Sequence, residues 1–356
     1  MRTAKAPSTA LTSFVVGSRY LPVYLALFLL VIVASIWAPK TLSGVALRAI
    51  APYGAVLCIA ALGQMVVVMT GGIDLSVPGT MSLAAVIMVG VGAGSDGNVG
   101  TAIAVALAAG AVVGLVNGIL IGGLKLNALI VTLAVGLIVV GVVNRYGSTF
   151  PVQNPVPEGW SGWVTNRIFG VSTVFWIGLG LTVLVSVLLR YTTVGRRFQV
   201  VGANPVASSV VGVRVNLNQI LVYVVAAVFY VIAGLALAGL IGRPGVSVGS
   251  EYLLAPIAAV VIGGASLTGG LASPFSTFAA AFFLTGLSQM MLTMGLPTSL
   301  QFVVFGLVII GGMLVSGDRI IRVVERVLRE RRRPDRSQTQ TLSGPGDGRV
   351  GKEAGM

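Results

Sequence analysis

The sequence predicts an all-α, polytopic membrane protein of about ten transmembrane helices with both termini in the cytoplasm. Three observations carry that prediction. Apolar runs of about twenty residues recur along the chain, each long enough to cross a hydrocarbon core of about 30 Å as a helix. Only 9% of the 356 residues are charged and 56% are hydrophobic, against roughly a quarter charged in a soluble domain. Lys and Arg fall unevenly on alternate loops, which fixes an orientation.

The runs lie near residues 20–38, 50–70, 79–94, 100–122, 127–144, 171–190, 218–240, 253–268, 272–293 and 298–317. The third and eighth are short and adjoin glycine pairs, as half-helices or re-entrant segments do. With the N-terminus inside, the cytoplasmic side collects Arg2, Lys5, Arg19, Lys125, Arg190, Arg196, Arg197, Arg214 and the Arg319–Lys352 tail. The outer side keeps Lys40, Arg48, Arg145, Arg167 and Arg243, and two ends on one side require an even number of crossings. The first run is too long for a signal h-region and lacks a small-residue cleavage site before Pro39, so no cleavable leader is expected. The chain divides into a cytoplasmic segment 1–19, a transmembrane domain 20–317 and a basic tail 318–356. Within the tail, Ile320, Val323, Val324, Val327 and Leu328 share one helical face suited to the inner leaflet. Residues 337–356 are polar, Gly-rich and expected to be disordered.

Composition also excludes functions. There is no His, which removes the commonest general base and metal ligand, and Cys58 is the single cysteine, so no internal disulfide can form. The net charge of +13 sits mostly in the last forty residues and one internal loop, a topology signal and anionic-lipid contact rather than a nucleic-acid surface. No GxxxxGK[ST] loop, triad or paired-carboxylate site is present, so no cofactor is implied and an enzyme is not expected.

The segment Met65–Met81, MVVVMTGGIDLSVPGTM, sets Asp74 in an apolar run broken by Gly71-Gly72 before it and Pro78-Gly79 after it. Hydrocarbon tolerates neither a charge nor a broken helix unless the segment is buried in protein or lines a cavity, and transporters build pathways from such breaks. Two readings of Asp74 stay open: a pathway residue accepting hydroxyls, and a structural carboxylate capping the following short helix, with Ser76 and Thr80 also of capping type. Gln64, Asn117 and Asn127 are further polar candidates for the pathway, although membrane amides commonly bond neighbouring helices. Gly71–Ser76 and Gly263–Thr268 share the pattern GG-x-x-L-[ST], a possible trace of duplicated halves.

Two loops stand out. Residues 145–170, on the outer face, carry Trp160 and Trp163, which suit either interfacial anchoring or docking of an external partner. The cytoplasmic loop 191–217 specifies a helix of its own. Asn204 is a good N-cap, Pro205 fits the first helical position, Val206 to Val211 give two turns, and Gly212 supplies a left-handed stop. So short a helix must pack on something, and its valines point to another protein, the alternative being a membrane-surface helix.

The motifs GGIDLSVPG (71–79), LVNGILIGGLKLNALIVTL (115–133), VGRRFQVVGANPVASSVVGV (194–213) and APIAAVVIGGASLTGG (255–270), kept in this order, resemble the inner-membrane permease subunits of ribose-type ABC sugar importers, within the branched-chain amino acid and sugar permease superfamily. The resemblance extends over about residues 20–317. It implies about ten helices, a dimer of permeases, a cytoplasmic ATPase and a periplasmic or lipid-anchored substrate-binding protein in a bacterial inner membrane. It also implies that Gly202–Gly212 is the coupling helix that enters the ATPase, with Arg196, Arg197, Gly202, Asn204, Pro205, Ser208 and Gly212 as coupling residues. The chain departs from the family pattern at Pro78, where glycine is usual, and in its long basic tail. Proline disfavours the helical region for Val77, so a changed turn is expected there.

The expected function is therefore that of a permease subunit for a monosaccharide or related polyol, forming the pathway and coupling to an ATPase. A non-sugar cargo such as a branched-chain amino acid or nucleoside, and an ion-coupled carrier with Asp74 as its protonatable group, are the alternatives. The helix at 204–212 counts against the carrier.

Overall fold

The computed structural model describes residues 9–149 and 154–316. The amphipathic segment at 319–333, the stretch 337–356 and the basic residues Arg2 and Lys5 lie outside the described residues. The elements run α1 (Thr9–Trp37), α2 (Gly44–Met69), α3 (Val77–Gly92), α4 (Val99–Gly118), α5 (Ala128–Thr149) and α6 (Glu158–Thr165). A two-residue hairpin, β1 (Arg167–Ile168) with β2 (Val171–Ser172), leads into α7 (Thr173–Tyr191), α8 (Thr193–Ala203), α9 (Pro205–Val210) and α10 (Val215–Ile241). The last three are α11 (Ala255–Ile262), α12 (Pro274–Thr293) and α13 (Thr298–Ser316). Seven described helices have the length and apolarity to cross a membrane, and three shorter apolar ones bring the number close to the ten expected.

The core forms around α2 and α10. Every residue from Gly54 to Met69 is buried, as is most of Val222–Gly239. Both helices are apolar on all faces, the pattern of a helix enclosed by others. Around them, α1 and α5 turn Leu25, Phe28, Leu29, Ile130, Leu137 and Ile138 outward, which in a membrane is contact with lipid. Gly110, Gly114 and Gly118, one helical turn apart on α4, lie so close to α10 that a Cβ would overlap Val231 or the backbone at Tyr223, Val224 and Ile220. Small residues at this spacing let two helix backbones meet without a side chain between them.

Loop contacts sort the connections onto two faces. On the outer one, Val156 N donates to Gly242 O (2.8 Å) and Gly159 N to Asp96 Oδ1 (2.7 Å). On the other, Gly270 N donates to Met69 O (2.8 Å), and Lys125 Nζ reaches Asn216 Oδ1. This division matches the alternation of sides expected from the charges.

Both short elements are partial crossings. At 1.5 Å per residue α3 rises about 24 Å and α11 about 12 Å. The eighth helix, expected at 253–268, stops at Ile262 because Gly264 turns the chain with a φ of +81°. Residues 263–273 then form an irregular loop, to which Arg19 Nε donates at Gly264 O (2.7 Å). The first helix begins at Thr9, ahead of the apolar run that starts near 20.

Candidate functional site

The break after α2 folds back into the bundle. Beyond Met69 the chain climbs beside the last turns of α2, and the Gln64 side chain meets the Asp74 peptide. With its amide oriented to satisfy every neighbour, Gln64 accepts from Asp74 N (3.2 Å) and donates to Asp74 O (3.0 Å) and the Tyr230 hydroxyl (3.1 Å). Asp74 Oδ1 accepts from Ser76 N (2.8 Å) and Ser76 Oγ (2.6 Å), an Asx turn that leads directly into α3. Asn117 Nδ2 donates to Ser76 Oγ (3.0 Å), while Thr132 Oγ1 accepts from Leu75 N (2.9 Å) and donates to Ala128 O (2.8 Å). Asp74, Gln64 and Asn117 are each at most 1% exposed. Three of the four pathway candidates thus come together, sealed inside the protein, with the polar groups of the break answered by side chains from α2, α4 and α5. The fourth, Asn127, lies apart: it is exposed and caps α5, its Oδ1 accepting from Leu129 N (2.9 Å). Pro78 does not spoil the turn. It occupies the first turn of α3, where its missing N–H has no helical partner, and Val77 is helical despite the proline after it.

The 191–217 loop is more helical than its sequence suggests. Asn204 Oδ1 accepts from Ala207 N (3.0 Å), Pro205 starts α9 and Gly212 takes a φ of +80°, as expected. In addition Val194–Ala203 belongs to α8, whose inner side is Gly195, Phe198, Val201 and Gly202 and whose outer side shows Arg196 and Arg197. Val206, Val210 and Val211 are 74–81% exposed. Ser208 is turned the other way: its hydroxyl donates to Val200 O and Asn204 O (2.8 Å each), tying α9 back to α8. Gly202 rests on the end of α2, where a Cβ would overlap Met69 O and lie 2.9 Å from Gly270 N. The two GG-x-x-L-[ST] loops and the end of α8 therefore meet at one point.

A second polar region lies on the opposite side. After α10 the outer loop dips inward until Gly249 N donates to Ser82 Oγ (2.9 Å). Ser82 is ten residues, about 15 Å, short of the outer end of α3. Glu251 is thereby carried to the level of Tyr53, about 14 Å inside the start of α2. The two line a cavity of about 500 Å³ with Ser288, Gln289, Gln301 and Phe302. Among the described residues no group of His, Cys, Asp and Glu could hold a metal ion.

Residues 49–313 match the family described as branched-chain amino acid transport system / permease component. The chain belongs to this permease family. It is 31% identical over 301 residues to the ribose import permease protein RbsC of Escherichia coli (strain K12), an alignment covering 83% of this chain and 92% of that one. It is 31% identical over 306 residues to the galactose/methyl galactoside import permease protein MglC of Salmonella typhimurium, covering 81% and 91%. With the autoinducer 2 import system permease protein LsrC of Klebsiella pneumoniae it shares 32% over 262 residues, 74% of this chain and 76% of that one. No solved structure matches the chain at a significant level.

The permease is accordingly a multi-pass inner-membrane component and not an enzyme. Its sealed break, its 191–217 loop and its outer cavity are joined by one short element. Ala255, at the start of α11, lines the cavity, and the loop after Ile262 ends against Gly202. Sequence reasoning missed Glu251, Gln289 and Gln301. The available signal was an acidic residue just before the short eighth run, together with amides in the two runs that follow it.

Proposed function

We propose that this permease forms the translocation pathway of an ATP-driven importer for a monosaccharide or related polyol, in a bacterial inner membrane. The observation that carries the proposal is α9. A capped helix with three exposed valines, braced through α8 on the ends of two membrane segments, suits insertion into a groove on a cytoplasmic ATPase. Arg196 and Arg197 flank it as steering charges, and Ser208, Asn204, Pro205 and Gly212 hold its shape. The relatives named for ribose and galactose import favour a sugar cargo. The partners are two ATP-binding modules, a periplasmic or lipid-anchored substrate-binding protein, a second permease copy or paralogue, and surrounding lipid.

In this proposal Asp74, Gln64 and Asn117 hold the break in shape, and solute meets them only if the break opens. The test is uptake into vesicles holding the permease, its ATPase and its binding protein. Uptake of labelled ribose or galactose that requires ATP and ignores a pH gradient supports the importer. Uptake driven by the gradient alone would establish the ion-coupled carrier, and uptake of leucine but no sugar would move the cargo to the amino acids.

A further inference from the structure

We infer that the outer cavity is where the permease takes up its solute, and that Glu251, Gln289 and Gln301 contact the hydroxyls of a polyhydroxylated ligand of monosaccharide size; the inference rests on the importer reading above. Depth is the first reason. The inward dip of residues 243–249 brings Gly249 level with Ser82, about 15 Å below the outer end of α3, and Glu251 two residues on lines the cavity beside Tyr53; ionisable groups within membrane-spanning bundles mark solute paths.

The second reason is hydrogen bonding. Deeper in the bundle the side chains of Gln64, Asp74, Ser76, Thr132 and Thr182 bond within the protein, while Asn117 Oδ1 and Thr41 Oγ1 are buried without a hydrogen bond. Around the cavity the side chains of Tyr53, Glu251, Ser288, Gln289 and Gln301 make no hydrogen bond among the described residues. They converge from α2, the 250–252 turn, α12 and α13, elements far apart in sequence. Tyr53 and Glu251 are exposed and Ser288, Gln289 and Gln301 half-buried, so their polar atoms are open to a ligand rich in hydroxyls.

The lining also selects among solutes. A carboxylate accepts, amides and hydroxyls both donate and accept, and together they read neutral hydroxyl groups. Among the described residues no Lys or Arg lines the cavity, so a carboxylate- or phosphate-bearing solute finds no charged counterpart in that lining. Phe302 and Tyr53, 56% and 40% exposed, offer apolar faces for the C–H side of a sugar ring. A volume of about 500 Å³ falls in the usual range for small-molecule sites. The start of α11 lines the cavity, so an occupied cavity bears on the element whose following loop meets Gly202 at the end of α8.

The test uses the assembled importer in vesicles, with ribose, galactose and leucine as probes. Glu251→Gln and Gln289→Ala are expected to raise the half-saturating concentration for sugar about tenfold or more, the loss of hydrogen bonds to hydroxyls, with assembly on the ATPase unchanged by gel filtration. Ser288→Cys supplies a second readout, because the native Cys58 is fully buried. A small charged thiol reagent added outside is expected to modify it and block uptake, and sugar with its binding protein to slow that reaction several-fold. Sugar uptake by the wild type with every variant within about twofold of it would overturn the inference while leaving the importer reading intact. Crosslinking of Ser288→Cys to a second permease copy would also overturn it, making the cavity an interface between copies. A wild type that moves leucine and no sugar would overturn the sugar reading itself and the inference with it.

Discussion

The amide of Gly270 donates to the carbonyl of Met69 at 2.8 Å, and the bare Cα of Gly202 lies against both partners. This bond joins the end of α2, buried without interruption from Gly54 to Met69, to the loop after α11, and α8 rests on the junction. In the proposed importer a push on α8 would reach both broken segments through these backbone contacts.

That contact makes Gly202 a sensitive position. Gly202→Ala places a methyl on the Met69 carbonyl oxygen, and neither backbone can yield without moving a buried helix end. Overpacking of this kind costs about 1–3 kcal/mol. The variant is expected to melt earlier in detergent than the wild type and to lose most ATP-dependent uptake. Unchanged melting and uptake would show that the junction is loose.

The two sides of α9 should separate by mutation. Val206→Asp and Val210→Asp put charges on residues 74% and 81% exposed, so folding should be unaffected while association with the ATPase falls at least tenfold in a pull-down titration, as expected when a charge is buried in an apolar groove. Ser208→Ala removes the bonds to Val200 O and Asn204 O from a residue only 4% exposed. It should lower stability by about 1 kcal/mol and weaken association only modestly. The reverse pattern would place the docking face on the Ser208 side.

How far these features could be read from sequence depended on whether their signal was local. The shortness of α3 and α11 was legible because glycine pairs flank both, and the cap, proline and stop of α9 lie within nine consecutive residues. The helix α8 was not read because Arg196, Arg197 and two glycines make it look like solvated loop. Its buried apolar residues, Phe198 and Val201, show their purpose only once α8 packs against α7, α10 and α2. Ser208 was expected among the docking residues, yet its position one turn after Asn204 on a helix packed against α8 turns it inward. The outer cavity had only a scattered signal, one acidic residue before the eighth run and amides in the next two. Glu251 comes beside Tyr53 on a loop that Gly249 pins to Ser82, 167 positions away in the chain.

Sidedness can be tested with single cysteines, because the native Cys58 is fully buried. Phe169, 92% exposed at the hairpin tip before α7, should as Phe169→Cys react with an impermeant thiol reagent added to intact cells. Val211→Cys, at a position 76% exposed beyond α9, should react only after the membrane is opened. Labelling of position 211 in intact cells would invert the topology and remove the docking argument.

Asp74 separates structure from proton carriage. Its Oδ1 holds Ser76 through both backbone and hydroxyl, and Ser76 in turn holds Asn117. Asn at this position keeps an oxygen able to accept the same two bonds but has nothing to titrate. If the carboxylate is structural, Asp74→Asn should fold and transport nearly as the wild type does. Asp74→Ala, which strips Ser76 of a partner for two donors and leaves Asn117 bonded to a loosened hydroxyl, should lose about 1–3 kcal/mol and much of the folded yield. A proton carrier predicts the opposite order of effects: Asn would abolish uptake in a well-folded protein. Melting temperature and vesicle uptake measured on the same preparations decide between them, since Asn and Ala part company only if the oxygen, and not the charge, is what the break requires.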